Sequence, residues 1–120
     1  RSRERLEHEI DDYMVIERDG MVIGCAALHV FADTGIAELA CVAVHDSYRG
    51  GERGERLVEA LERRARQRGL TDMFVLTTHT AHWFVERGFR AASLEDLPTL
   101  KRETYNHARK SKVLVKTLAG

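Results

Sequence analysis

Two apolar runs, "IAELACVAV" (Ile36 to Val44) and "MFVLTT" (Met73 to Thr78), flank a charged stretch with helical periodicity. This arrangement restricts the fold more than any other feature of the chain. The first run is apolar except for Glu38 and reads as a strand covered on both faces, and the second reads as another buried strand. Between them Leu57, Ala60, Leu61 and Ala65 repeat at helical spacing, and Gly69 suits the residue just past the helix end. A strand, a helix and a strand joined this way imply parallel pairing through a right-handed crossover.

The remaining segments attach to that unit. "YMVIERDGMVIGCAALHVF" reads as two strands joined at Asp19-Gly20, because glycine accepts the positive φ of a primed hairpin turn. Leu6 and Ile10, four apart, place a short helix at the charged start. "AHWFVERGF" reads as a short helix ended by Gly88, and "FRAASL" as a strand. "EDLPTLKRETYNHARK" is helix or loop around Pro98, and "KVLVKTL" closes the chain as a strand. No repeat, low-complexity run or interdomain linker interrupts residues 1–120. The fold class is α/β (α+β): one domain with a mixed central sheet flanked by helices.

Composition bounds the function. A chain of 120 residues with 43% apolar content fits one core. Nineteen basic residues balance nineteen acidic ones, so no overall positive field points to nucleic acid. No apolar run approaches the roughly 20 residues of a membrane helix. Arg1 to Asp12 is charged and lacks the apolar core of a signal peptide. A soluble cytoplasmic protein is expected. Cys25 and Cys41 lie in strand-like runs without CxxC spacing and read as buried free thiols. The six histidines are scattered, so no metal site is expected.

Four groups of residues carry candidate chemistry. "YRGGERGERLVEAL" begins where a strand passes into a helix, and a helix start offers unpaired backbone N–H groups to an anion. Gly50, Gly51 and Gly54 allow close backbone approach, and Arg49 and Arg53 supply charge-assisted bonds to phosphate oxygens. The plainer reading is a turn before a solvated helix. A Walker loop is excluded, since no Gly-Lys-Ser/Thr follows, and the glycines lack GxGxxG spacing. Glu38 is an isolated carboxylate in an apolar strand: a general base if partly buried, a rim residue if not. Thr77 and Thr78 end the parallel strand, where ligands of open sheets bind. They are hydroxyl donors, or β-branched residues chosen for strand propensity. Arg109, Lys110 and Lys112 surround Ser111 as a claw for carboxylates or as a solvated turn.

Taken together these residues resemble the GNAT superfamily of acetyl-CoA-dependent N-acetyltransferases. "RGGERG", Arg49 to Gly54, is similar to its pyrophosphate loop, with the leading Arg and closing Gly present and Glu52 replacing the middle glycine. "GIAELACVAVHDSYRGGERGERL", "FVLTTHTAHWFVERGFRAASLEDLP" and "YNHARKSKVL" resemble more closely the acetyltransferase domain of the bacterial N-acetylglutamate synthase (amino-acid N-acetyltransferase) family.

That resemblance implies acetyl transfer from acetyl-CoA to the α-amine of L-glutamate, the first step of arginine biosynthesis. It implies that backbone groups of Cys41, Val42 and Val44 face the pantetheine arm and thioester. Arg49, Gly50, Gly51, Glu52, Arg53 and Gly54 would hold the pyrophosphate. Glu38 would be the general base, acting through water. Phe84 stands where many superfamily members have a proton-donating tyrosine, which leaves Thr77 as the candidate acid. Arg109 with Ser111 would bind the substrate carboxylates, with Arg1 and Lys110 as further cations. The superfamily normally begins with another strand and helix, and this family carries an amino-acid-kinase-like domain upstream. The chain is therefore expected to be the carboxy-terminal part of a longer protein, and a homo-oligomer is expected through that upstream domain. The alternatives are an acetyltransferase for another amino acid or small amine, a non-catalytic coenzyme A-binding regulatory module, and, remotely, a nucleic-acid module using the Arg63–Arg68 helix.

Overall fold

The computed structural model describes residues 4–8, 13–49, 52–105 and 109–118. Seven strands form one sheet: β1 (Glu4–His8), β2 (Tyr13–Arg18), β3 (Met21–Phe31), β4 (Ile36–Val44), β5 (Asp72–Thr77), β6 (Arg90–Ala92) and β7 (Lys112–Thr117). Their order across the sheet is β1-β2-β3-β4-β5-β7-β6. Among the described residues three α-helices accompany them: α1 (Arg53–Gln67), α2 (Ala81–Val85) and α3 (Thr99–Thr104). β4 and β5 pair in parallel and the other neighbours antiparallel. This is the mixed sheet flanked by helices that the pattern implies.

The turns follow their sequences. Asp19 and Gly20 both take positive φ, 53° and 84°, as a type I′ hairpin requires. Gly69 takes φ 78° just past α1, where its N–H reaches the Arg66 carbonyl and that of Leu70 reaches Ala65. Such bonds use carbonyls that the helix end leaves open.

The periodicity of α1 produces one buried stripe. Leu57, Val58, Leu61 and Ala65 are 0–1% exposed and share a core with Ile16, Ile23, Leu28, Ala37, Leu39, Met73 and Val75. Each fully buried leucine there stabilises the fold by about 2 kcal/mol. The opposite face of the sheet has its own cluster of Phe31, Phe74, Leu97, Val113 and Val115. β5 serves both faces by alternation, Met73 and Val75 on one and Phe74 on the other.

Three expectations are corrected. The start forms the edge strand β1, not a helix. Leu6 lies opposite Ile16 in the β1–β2 register and packs on the main core, so β2's free backbone edge selects the strand. β4 is not covered on both faces: Ala37 and Leu39 are buried, whereas Glu38, Ala40, Val42 and Val44 are only half-buried and Ala43 is exposed. Cys25 is half-buried rather than buried; the Cys41 side chain lies outside the described residues. Ile10 lies outside them as well. Among the described residues no helix is long and apolar enough to cross a membrane.

Candidate active site

The sheet creates its own cleft. β4 pairs with β5 only at Ile36–Asp72, Ala37–Met73 and Glu38–Phe74, although β4 runs on to Val44 and β5 to Thr77. β4 also changes register against β3: Cys25 faces Ala43 but Ala27 faces Ala40, so β4 carries one extra residue around Cys41 and Val42. Such a bulge bends a strand and re-aims the residues beyond it. Past Glu38 the two strands part, and a cavity of about 960 Å³ occupies the gap. Leu39, Ala40, Val42 to Val44 and Val75 to Thr77 form its walls.

The amino end of α1 closes one side. Glu52 adopts a left-handed conformation, φ 63° and ψ 20°, immediately before the helix, and no side chain caps the helix start. The first intrahelical bond runs from the Arg56 N–H to the Glu52 carbonyl. The N–H groups of Arg53, Gly54 and Glu55 therefore have no partner within the helix. The Glu52 side chain is exposed. Trp83 of α2 covers Gly54: a Cβ there would lie 3.3 Å from Trp83 Cζ2. Arg87 stacks over the Trp83 ring at 3.8 Å and donates to Glu55 at 3.4 Å, which ties α2 to the first turn of α1.

The other side carries titratable groups. Glu38, at the last β4–β5 pair, has a side chain 13% exposed, and its Oε1 lies 3.0 Å from Lys101 Nζ on α3. Thr77 ends β5; its Oγ1 shares a hydrogen bond with Thr80 Oγ1 at 2.7 Å and accepts the Thr80 N–H at 3.1 Å. Arg109 and Ser111 line the same cavity, and the Tyr105 hydroxyl donates to the Ser111 carbonyl.

The cavity brings together Glu38, Val42, Val44, Arg49, Glu52, Arg53, Gly54, Thr77, Arg109 and Ser111 from the residues singled out in the sequence. Lys110 is exposed with φ 54° and does not line it, nor does Thr78. Cys41 contributes backbone to β4. Arg1, Gly50 and Gly51 lie outside the described residues. Arg53 differs from the picture of a free phosphate clamp. Its guanidinium donates to Glu4 Oε1 at 2.9 and 3.3 Å and to the Tyr48 carbonyl at 3.2 Å, so its side chain fastens β1 to α1. Arg49 is exposed at the rim and pairs with Asp46 at 3.1 Å. Among the described residues lining the cavity, Arg109 is the cation with no carboxylate at salt-bridge distance: Arg49, Arg53, Arg87 and Lys101 each have one.

Sequence reasoning missed Lys101, Tyr105, Thr80 and Trp83, all of which line the cavity. One signal for two of them existed. Lys101 and Tyr105 are four apart beside Pro98, a spacing that puts both on one side of a helical turn.

The family model described as "Acetyltransferase (GNAT) family" matches residues 1–89. The chain belongs to the GNAT acetyltransferase family. The parted parallel strands and the uncapped helix start thus lie in a GNAT fold. The amino-acid acetyltransferase of Pasteurella multocida (strain Pm70) is 55% identical over 118 residues, which is 98% of this chain and 27% of that protein. The amino-acid acetyltransferase of Aeromonas salmonicida (strain A449) is 52% identical over 119 residues, 99% of this chain and 27% of that one. The N-acetylglutamate synthase of Neisseria gonorrhoeae, solved with coenzyme A and N-acetyl-glutamate, superposes with a TM-score of 0.87. It is 36% identical, and the match covers 98% of this GNAT chain and 30% of the solved one. The chain therefore spans less than a third of the length of these relatives. Among the described residues no three His, Cys, Asp or Glu side chains are grouped to hold a metal ion.

Proposed function

We propose that this domain transfers the acetyl group of acetyl-CoA to the α-amine of L-glutamate. The observation that carries the reading is one cavity with three parts: a half-buried carboxylate at the point where β4 and β5 part, an uncapped helix start on one side, and Arg109 with Ser111 on the other. The names of the relatives, amino-acid acetyltransferase and N-acetylglutamate synthase, support the substrate class.

Acetyl-CoA fits the residues present. Its pyrophosphate needs donors, and the N–H groups of Arg53, Gly54 and Glu55 with the dipole of α1 supply them. The Glu52 carboxylate is exposed, which lets it face solvent rather than the phosphates. The pantetheine arm carries amides, and the β4 backbone beyond Glu38 has no β5 pairing to satisfy its polar groups. Glu38 and Thr77 line the same cavity and are the residues proposed to face the thioester.

An amino acid arrives as an ammonium, which has no lone pair. Glu38 accepts one of its protons, directly or through one water, and the neutral amine attacks the thioester carbonyl. The C–S bond breaks, and Thr77 is the proposed donor of a proton to the departing thiolate, its hydroxyl being restored by the second proton that the nitrogen loses as the amide forms. Arg109, free of any described carboxylate, binds the substrate's carboxylate.

The test is thiol release from acetyl-CoA with a panel of amino acids. Glutamate is the preferred acceptor, and Glu38→Gln lowers kcat by about 10²-fold or more while acetyl-CoA still binds by calorimetry. No turnover above background with glutamate overturns the reading, and turnover with a different amine reassigns the substrate.

A further inference from the structure

Lys101, paired with Glu38, lines the cavity yet has no step of its own in acetyl transfer. Glu38 is flanked in the sheet by His29 on β3 and Phe74 on β5. Phe74 is fully buried and offers no polar atom, and His29 is exposed and turned edge-on to Phe31 at 4.8 Å. Among the described residues Lys101 is the one side chain at ion-pair distance from Glu38, with its Nζ 3.0 Å from Oε1.

The element that carries Lys101 is fixed at both ends. Leu97, just before α3, is buried with Phe31 and Phe74 on the face of the sheet where Glu38 stands. A Ser93–Asp96 capping box sets the turn ahead of it, and the Pro98 carbonyl receives the N–H groups of Lys101 and Arg102. After α3 the Tyr105 hydroxyl ties the chain to Ser111. A lysine halfway between two anchors, 25% exposed, has little freedom to leave its partner.

We propose that Lys101 is a positioning residue for acetyl transfer: it occupies Oε1 of Glu38 and leaves Oε2 directed to the amine. The inference rests on the reading of Glu38 as the base. In the proton transfer an N–H bond of the ammonium breaks, its electron pair stays on nitrogen, and the proton goes to Oε2. Lys101 keeps its own protons throughout. Without it the carboxylate, no longer tethered, samples rotamers that turn both oxygens from the amine. Misplacement of a reacting group by even 1 Å is costly in rate.

The experiment is steady-state kinetics on the full chain with acetyl-CoA and L-glutamate, comparing Lys101→Met, Lys101→Arg, Glu38→Gln and the double variant Glu38→Gln with Lys101→Met. The expected result is a kcat about tenfold lower in Lys101→Met, with KM for glutamate within about twofold. Arginine restores most of the loss. In the Glu38→Gln background the methionine has no further effect, because residues acting as one unit are not additive. Four results overturn the proposal. If Lys101→Met keeps kcat while Glu38→Gln loses it, Lys101 has no positioning role. If KM for glutamate rises with kcat unchanged, Lys101 contacts substrate instead. If Lys101→Met lowers the melting temperature and arginine restores stability but not kcat, the role is structural. If Glu38→Gln keeps kcat, the base reading fails and this inference with it.

Discussion

Glu52 is a residue where sequence and backbone disagree. A non-glycine side chain at φ 63° crowds its own backbone, which costs about 1–2 kcal/mol. From this conformation the chain enters α1, whose first residues Arg53, Gly54 and Glu55 line the cavity. Glycine adopts it without strain but gains entropy in the unfolded chain, roughly 0.4–1 kcal/mol. Glu52→Gly is therefore expected to raise stability by up to about 1 kcal/mol. Glu52→Val, β-branched in a left-handed position, is expected to lower it by about 1–2 kcal/mol. Urea midpoints decide the pair; equal stabilities would show that the turn relaxes out of the left-handed region.

At the scale of elements, ionic contacts fasten β1 to α1, whose amino end borders the cavity. Glu4 takes Arg53 at 2.9 Å and Arg56 at 2.8 Å, and Arg53 also stacks on Tyr48. The Arg53 hydrogen bond, followed by the Arg56 bond and the charges of both, holds the Glu4 carboxyl below its ordinary range despite the opposing effect of partial burial. A lowered carboxyl value stabilises the fold at neutral pH, and that contribution is lost as pH falls through the lowered value. The stability advantage of the native chain over Glu4→Gln is thus full at neutral pH and shrinks below about pH 4.3. Urea titrations across that window check it, and an advantage that persists in acid would contradict it. This fastening was not legible in the sequence. Leu6 and Ile10 fit a helix, while Glu4, Leu6 and His8 alternate as a strand, and only the edge of β2 chooses between them. The partner of Arg53 lies 49 residues away, beyond any local pattern. The legible features had local causes. The Asp19-Gly20 turn, the α1 stripe and the Gly69 cap follow from backbone preference and periodicity. Glu38 stood out as a lone charge in an apolar run. Lys101 did not, because its spacing to Tyr105 marks a shared side of a helical turn but not what that side faces.

For the whole molecule, the parted strands raise a mechanical question: what keeps the two halves of the sheet together when β4 and β5 share only three residue pairs? The main core spans the gap, with Leu39 from one side and Val75 and Leu114 from the other in one cluster with the buried stripe of α1. A second tie is ionic. Glu62 of α1 is 6% exposed, and Lys116 of β7 meets its Oε2 at 2.9 Å and the Arg87 carbonyl at 2.8 Å. One lysine thereby joins α1, the end of α2 and β7. Removing one partner of a buried pair leaves the other charge uncompensated, at about 3–5 kcal/mol when burial is complete. Lys116 is 21% exposed and Arg66 also lies 3.8 Å from Glu62 Oε1, so solvent and that guanidinium offset part of the cost. Lys116→Met is expected to destabilise the fold by about 2 kcal/mol. Combining it with Glu62→Leu removes the stranded charge, so the double variant should lie closer to the native chain than Lys116→Met alone. Urea denaturation of Lys116→Met, Glu62→Leu and the double variant measures this. A double variant as unstable as the sum of its parts would mean that the core alone spans the gap and the pair is incidental.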